Sequence, residues 1–361
     1  MTGRVKSIAS LSLFFTAGVV TGTVLLPGTS FLLPAILLPV AALPVFLKEK
    51  LLRWREEISL PLILGAFLLL GFFCARSATL PLADAPTGLE QMAARAAERL
   101  RAFIDGIPFR DDGTAPLLKA LLTGDRSGLS AHTVATFRGS GASHLLALSG
   151  LHMGILYLLF DWLTRPAGHS PSSRILRFVL LVAGTGFFTL MTGATPSIVR
   201  AFLFITINEL LRLLRRPREA VGVFCLALLV QLAWDPSVIG STGFQLSYLA
   251  MAGIFLVYPV LERWYPRGSR YNPLRWLWNS AALGISCQLF TAPLVWLRFH
   301  SFPKYFLLTN LLALPLTSIL MTVSVCTLAL EALGLHLQPL ITATDGLGRL
   351  LLWVLETICA L

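Results

Sequence analysis

Two histidines and a serine lie close together within one apolar segment of the 361-residue chain. His144 and His152 bracket Ser149 and Gly150 in the run Gly-Ser-Gly-Ala-Ser-His-Leu-Leu-Ala-Leu-Ser-Gly-Leu-His-Met-Gly, which occupies 139–154. Ionisable groups inside an apolar helix are costly to bury and usually face a cavity or a neighbouring helix. On one continuous helix, a spacing of eight residues would place both rings on broadly the same side. The segment therefore predicts a functional site or a polar contact between helices.

Three interpretations of this segment are open at the level of the residues. In the first, both histidines join neighbouring helices through hydrogen bonds. In the second, Ser149 is a nucleophile, because Ala-Leu-Ser-Gly resembles the Gly-x-Ser-Gly of intramembrane serine proteases, whose chemistry needs a histidine base from another helix. In the third, the polar groups line a conduction path. The remaining histidines lie in loops or near the ends of apolar blocks, which disfavours the protease: His132, His169, His300 and His336.

Further polar residues that could accompany such a path occur on later apolar blocks. Arg200 lies near the predicted outer end of its block, where an arginine faces either lipid headgroups or a polar path. Gln245 and Asn310 add neutral hydrogen-bonding groups, although a single amide in a membrane helix more often bonds a neighbouring helix. The candidate path residues are therefore His144, Ser149, Gly150, His152, Arg200, Gln245 and Asn310.

The composition indicates that most of the chain lies in a membrane. Hydrophobic residues make up 55% of the chain and charged residues 13%, with a mean hydropathy of +0.75, whereas a soluble domain carries about 25% charged residues. Apolar blocks of roughly 17–25 residues match the hydrocarbon thickness of a bilayer, and helices satisfy their own backbone groups there. We expect an all-α membrane protein, a polytopic bundle of about 10–11 transmembrane helices. The blocks occupy 8–26, 31–47, 58–75, 142–163, 175–191, 197–211, 220–234, 244–261, 277–297, 305–330 and 337–361.

The net charge of +11 follows the membrane topology rather than a nucleic-acid surface. If the N-terminus is cytoplasmic, the short inner segments carry most of the lysines and arginines, and the short outer loops hold only Arg298 and Lys304. This asymmetry is the positive-inside rule, which predicts that the N-terminus lies in the cytoplasm. We expect Glu209 to pair with Arg212 or Arg215 on the same helix instead of lining a path.

A long polar interval at 76–141 predicts an extracytoplasmic helical loop between N-terminal membrane helices at 1–75 and a membrane domain at 142–361. An amphipathic helix is expected over 88–104, because apolar residues recur there at spacings of three and four: Leu89, Met92, Ala96, Leu100 and Phe103. This apolar face lies either on the membrane surface or against the transmembrane bundle.

Two shorter helices are predicted later in the same loop. One covers 116–122, before a turn at Thr123-Gly-Asp. The other starts from Ser130, whose hydroxyl suits an N-cap, and continues to 138.

The sequence predicts no cofactor, no metal and no ATPase site. All five cysteines lie in apolar blocks without the spacing of metal ligands. No P-loop, dinucleotide-binding turn or HExxH motif occurs in the chain. We therefore expect that the protein is not an enzyme.

The segment at 139–154 resembles the ComEC-type competence family, the membrane channel of bacterial natural transformation. Further motifs of that family occur in its order between Leu117 and Leu330, and they are persuasive as an ordered set. They are Ala120-Leu-Leu-Thr-Gly-Asp, Phe137-Arg-Gly-Ser-Gly, Thr195-Pro-Ser-Ile-Val-Arg-Ala, Asp235-Pro, Gly243-Phe-Gln-Leu-Ser, and Asn310 with Pro315.

The resemblance implies passage of single-stranded DNA across the cytoplasmic membrane, with a DNA receptor, a cytoplasmic motor ATPase and a separate nuclease as partners beside the lipid bilayer. Family members often carry an OB-like outer domain and a metallo-β-lactamase-like domain. Between Arg76 and Gly88 there is no room for an OB fold, and the sequence holds no His-x-His-x-Asp-His motif. We therefore expect a member with the competence domain only. The alternative function is a proton- or ion-coupled transporter of a small anionic solute, because histidines titrate near neutral pH.

Overall fold

The regular secondary structure is helical in the part of the chain that the computed structural model describes, which comprises residues 3–25, 56–77, 87–165, 170–265, 273–300 and 304–361. No strand occurs within these ranges. The all-α class expected from the composition is confirmed.

The helices begin and end close to the predicted apolar blocks. In chain order they are α1 Gly3–Val20, α2 Glu56–Ser77, α3 Gly88–Asp105, α4 Thr114–Thr123, α5 Ala131–Gly139, α6 Ser143–Leu146, α7 Gly150–Thr164 and α8 Pro171–Met191. They continue as α9 Pro196–Leu213, α10 Ala220–Trp234, α11 Thr242–Leu256, α12 Tyr258–Glu262, α13 Pro273–Phe299, α14 Phe306–Ala332 and α15 Gln338–Cys359.

Several helices have the length and apolarity of membrane spans. Four stretches of the described chain are long enough to cross a bilayer: Pro171–Met191, Thr242–Glu262, Pro273–Phe299 and Phe306–Ala332. Shorter apolar helices cover Ile8–Thr23, Ile63–Ala75 and Ala220–Trp234. The chain is therefore a membrane protein.

Exposed tryptophans accompany these helices. Trp234 is the last residue of α10, Trp264 follows α12, and Trp276 lies in the first turn of α13. Each is more than half exposed in the isolated chain. Tryptophan is enriched where a membrane meets water, because its ring is apolar and its N–H is polar. Their positions fit the membrane assignment.

Four predicted blocks are not among these apolar stretches. The blocks at 142–163 and 197–211 form α6 with α7, and α9. The block at 31–47 lies outside the described residues. The block at 337–361 forms α15, which carries Asp345, Arg349 and Glu356 and is not among the apolar spans. The expected total of 10–11 spans stays a prediction.

The described residues cluster into two compact units. The first unit contains the described residues within 1–85, 168–182 and 199–245, and the second contains those within 86–167, 183–198 and 246–361. The second unit thus combines helices of the polar interval with later membrane helices. The domain boundaries predicted at 75 and 141 remain predictions.

In the first unit, α1 and α2 pack with their backbones close together. A Cβ added at Gly18 would meet the Leu68 carbonyl, and one added at Gly71 would meet the Phe15 carbonyl. Glycines at a helix interface permit this approach because they have no side chain. The hydroxyl of Ser12 also donates to the Cys225 carbonyl at 3.1 Å, which joins α1 to α10.

In the second unit, one core joins α4, α5 and α6 to α14 and α15. Leu121 of α4, Phe137 of α5, Leu146 of α6, Leu320 of α14 and Leu355 of α15 are all buried in it. The two short helices predicted in the polar interval are confirmed as α4 and α5, and the Ser130 hydroxyl accepts from Thr133 N–H at 3.0 Å as the expected N-cap.

The predicted amphipathic helix is confirmed as α3. The fully buried residues are Ala93, Ala97 and Ile104, while Leu89 and Met92 are about 60% exposed. The small alanines allow α3 to lie close against its neighbour, so the packed face is rotated away from the larger residues.

We predict that Gly71→Ala destabilises the first unit. The added methyl group would force the α1 and α2 backbones apart, and overpacking of this kind costs about 1–3 kcal/mol. Gly65→Ala in the same helix is the matched control, because a Cβ there has no described atom within 4 Å. Thermal unfolding of the detergent-solubilised protein measures both, and equal midpoints for the two variants would contradict the prediction.

Candidate functional site

The apolar block predicted at 142–163 is two helices, not one. Ser143–Leu146 forms the single turn of α6, Ala147 is extended, and α7 begins at Gly150 with Ser149 as its N-cap. The expectation that His144 and His152 share a face of one continuous helix is therefore wrong. At the break, side chains of Arg126, Ser149 and His152 bind backbone groups that would otherwise bond within a continuous helix.

The Arg126 side chain donates hydrogen bonds to the Leu146 carbonyl, which the break leaves without a partner in the helix. Its Nε and Nη2 atoms donate to the Leu146 oxygen at 3.1 and 2.8 Å. A continuous helix would have satisfied this oxygen with a backbone N–H four residues on. A guanidinium that donates twice to one oxygen replaces that bond and fixes the end of α6.

Ser149 and His152 form a capping box at the start of α7. The Leu151 N–H donates to Ser149 Oγ at 3.3 Å, and the Ser149 N–H donates to His152 Nδ1 at 3.2 Å. The Ser149 hydroxyl also lies 3.1 Å from His152 Nδ1. These bonds satisfy backbone donors that have no partner inside a helix. Gly150 occupies the first helical position between them.

The capping box fixes which nitrogen of His152 carries the proton. Because Nδ1 accepts from the Ser149 N–H, the proton of the neutral ring lies on Nε2. His152 is 2% exposed, and its Nε2 has no hydrogen-bond partner among the described residues. A buried donor without a partner is rare in folded proteins, so this N–H is a candidate for contact with a bound water or a transported group.

His144 lies on the other side of the break. Its ring is exposed in the isolated chain, and its Nδ1 lies 3.2 Å from the Gly141 carbonyl. Gly141 has φ of 81°, which glycine adopts without strain. His144 thus precedes the break in the chain, and Ser149, Gly150 and His152 follow it.

Asn310 lies next to a contact with the same region. The hydroxyl of Thr309, its neighbour on α14, donates to the Ser140 carbonyl at 2.6 Å, and both Thr309 and Ser140 are fully buried. Asn310 itself turns to α13, where a Cβ added at Gly284 would lie 3.5 Å from its Nδ2. Its Oδ1 is buried and has no partner within the described part of the chain.

Arg200 and Gln245 belong to the first unit. Arg200 is half-buried on α9, and the Gln245 amide in the first turn of α11 donates to the carbonyl of Ile239, in the short turn before that helix, at 2.7 Å. The expected pair between Glu209 and Arg212 is confirmed, with Nη1 3.4 Å from the carboxylate. The path roles of all seven candidate residues remain predictions.

Sequence reasoning did not select Arg126, although it follows the Thr-Gly-Asp turn that was recognised. The turn positions it: the Ser127 N–H donates to Asp125 Oδ1 at 3.0 Å, and Arg101 lies 3.4 Å from the same carboxylate. The hydrogen bonds from Ser127, with Arg101 nearby, lower the pKa of Asp125 below its ordinary value. The sequence signal that could have identified Arg126 is its position directly after the Thr-Gly-Asp turn.

The helices and the capped break define an α-helical integral membrane protein with a polar break in an apolar segment. The family model described as Competence protein matches residues 121–361. The chain belongs to the competence protein family, as the motifs at 139–154 led us to expect. The match begins in α4 and includes every candidate path residue.

Several curated proteins from bacteria are similar to this chain. ComE operon protein 3 of Bacillus subtilis (strain 168) is 27% identical over 200 residues, which cover 55% of this chain and 24% of that protein. Recombination protein 2 of Haemophilus influenzae is 28% identical, with 57% and 27% covered. Competence protein ComA of Neisseria gonorrhoeae is 29% identical, with 57% and 29% covered.

The chain spans about a quarter to a third of the length of the curated relatives it matches. No solved structure matches it.

We predict that Ser149→Ala weakens the start of α7. Loss of an N-cap hydroxyl costs about 1 kcal/mol, which should lower the thermal midpoint of the solubilised protein. Ser149→Thr keeps an oxygen acceptor and should remain close to the unaltered protein. Equal losses in both variants would show that the hydroxyl does not act as a cap.

We also predict that Arg126→Gln loosens the break. A carbonyl that loses a charged donor loses about 1.5–3 kcal/mol of interaction, so the amides of 147–152 should exchange hydrogen faster. Arg138→Gln in the last turn of α5 makes the same chemical change at an exposed residue and should leave exchange unaltered. Unchanged exchange in Arg126→Gln would contradict the assignment.

Proposed function

We propose that this protein passes single-stranded DNA across the bacterial cytoplasmic membrane during DNA uptake. The observation that carries the proposal is membership in the competence family over 121–361, the range that holds the broken helix and all candidate path residues. The names of two relatives, a ComE operon protein and a competence protein, point to the same process.

The broken helix suits a path for a polyanion. Irregular backbone at membrane depth is tolerated where it is buried in protein or lines a water-filled cavity. The His152 Nε2–H is a buried donor without a described partner, and a phosphate oxygen is an acceptor that it could bind. Arg200 would add a positive charge, and Gln245 and Asn310 neutral donors.

The proposal includes a setting for the protein. The N-terminus would face the cytoplasm, as the distribution of lysine and arginine favours. The chain would act as a channel and not as an enzyme. A DNA receptor, a motor ATPase and a nuclease would then be supplied by other proteins.

We expect His152→Ala and Arg200→Ala to lower DNA entry without removing the protein from the membrane. Loss of one donor that acts only on the moving strand should slow entry about tenfold, the effect of ~1.4 kcal/mol on a barrier. The measurement is labelled DNA that becomes protected from external nuclease in a competent host deleted for this gene and complemented with each variant.

His132→Ala is the matched control, because His132 is an exposed histidine on α5. It should support normal entry. Normal entry in the His152 and Arg200 variants, with the protein in the membrane, would contradict their path role. If deletion of the gene itself left entry unchanged, the channel proposal would be wrong, and flux of a small anion that depends on pH would become the function to test.

The contact between Ser149 and His152 gives the protease alternative one supporting observation. Their 3.1 Å separation is within reach of a nucleophile and its base. The same atoms complete the capping box, and no described residue bonds His152 Nε2 as the third group that usually orients such a base. Labelling of Ser149 by a serine-directed covalent probe would favour the protease over the channel.

A further inference from the structure

A second group of polar residues is buried between α14 and α15. Thr327 of α14 and Thr344 of α15 are both buried, and their hydroxyl oxygens lie 3.1 Å apart. Glu331 lies one turn after Thr327 on the same face of α14, and Asp345 follows Thr344 directly on α15. We call these four residues the polar seam.

Each carboxylate of the polar seam has one bonded oxygen and one open oxygen. Asp345 is 1% exposed, and its Oδ2 accepts from the Arg110 N–H at 2.7 Å, while its Oδ1 is buried without a partner among the described residues. The Glu331 side chain is 7% exposed, and its Oε2 lies 2.6 Å from His336 Nδ1. Its Oε1 is also buried, and no described residue bonds it. A buried polar atom without a partner is rare and requires an explanation.

No arginine or lysine side chain of the described chain forms an ion pair with either carboxylate. This holds for every other charged residue or histidine on α15, on the helices α4 and α5 that pack against it, and on the loop before α4: Arg110, Asp111, Asp112, Lys119, His132, Arg138, Arg349 and Glu356. An unpaired charge costs far more to bury than a neutral acid. Each open oxygen is therefore a position where a bound proton is stabilised.

The two threonine hydroxyls can reverse the direction of their hydrogen bonds. Thr327 Oγ1 lies 2.9 Å from the Val323 carbonyl, and Thr344 Oγ1 lies 2.9 Å from the Leu340 carbonyl. A hydroxyl has one proton to donate and can also accept. Either threonine can therefore donate to its own carbonyl while it accepts from the other hydroxyl. A hydrogen-bonded chain that passes protons needs this reversibility.

His336 connects the polar seam to the surface. It lies in the turn between α14 and α15, and its side chain is 78% exposed although it contacts the buried Glu331. Histidine can take up and release protons under physiological conditions, which suits it to a proton shuttle.

We propose that the polar seam is a proton path that is entered at His336 and ends at Asp345. A proton passes from the imidazole to Glu331 and then along the threonine hydroxyls, each of which accepts one proton and releases another. Asp345 Oδ1 receives the last of them. Acidic residues and histidines within membrane helices commonly form proton relays. The proposal does not depend on the function proposed above.

The experiment is infrared spectroscopy of the full chain in lipid bilayers. The pH is lowered until the carboxyls are protonated, and water is then replaced by heavy water, which shifts the C=O stretch of each neutral acid when its proton exchanges. We expect Glu331→Gln and Asp345→Asn each to remove one band, which identifies the two groups. Glu356→Gln removes a half-exposed carboxylate of α15 and should leave both bands in place.

The rate of exchange tests the path itself. Thr344→Val removes a link and should slow exchange of the Asp345 band several-fold, whereas Thr344→Ser keeps the hydroxyl and should exchange as the unaltered chain does. Thr322→Val is the matched control, because it makes the same change at an exposed threonine of α14. His336→Gln can still bond Glu331 but cannot carry a proton, and it should slow exchange of both bands.

Equal exchange of the Asp345 band in Thr344→Val and Thr322→Val would overturn the path through the hydroxyls. Unaltered exchange in His336→Gln would overturn the entry at the turn. Loss of the Asp345 band when sodium ions are added at constant pH would overturn the proposal in favour of a cation site.

Discussion

The second unit depends on satisfying the backbone at the break between α6 and α7. Within an apolar segment, an open carbonyl or N–H costs several kcal/mol unless protein groups replace water. Arg126 supplies the donor for the Leu146 carbonyl, and Ser149 with His152 satisfies donors at the start of α7. Because these partners are side chains, the break stays fixed in place, and its position decides where His152 lies.

Neighbouring elements are arranged to support those partners. The Thr-Gly-Asp turn at the end of α4 places Arg126, with Asp125 bonded to Ser127 and paired with Arg101 of α3. Thr309 of α14 binds the Ser140 carbonyl just before α6. The loop helices and the membrane helix α14 therefore both hold the chain near the break, at the Leu146 and Ser140 carbonyls. The same elements share one core.

Much of this arrangement was predictable from the sequence, because it depends on local patterns. Helix positions follow from apolar blocks, the cap at Ser130 from its hydroxyl, and the Glu209 pair from a spacing of three. The exact position of the break at 147–149 does not follow from a local pattern. It requires Arg126 from another element. The packed face of α3 also depends on another element. The close approach of α4 favours small residues such as Ala93 and Ala97 over large ones.

The contribution of α15 to this core has a consequence for the order in which the chain folds. The Arg110 N–H donates to Asp345 Oδ2 at 2.7 Å across a separation of 235 residues, and Leu351 and Leu355 are buried in the core that holds Leu146. At ribosomal rates of about 5–20 residues per second, α15 follows Arg110 by roughly 12–47 s. During that interval the leucines of α4 and α6 that pack against α15 in the finished core are exposed. Membrane insertion of the intervening helices thus precedes the final closure of the second unit.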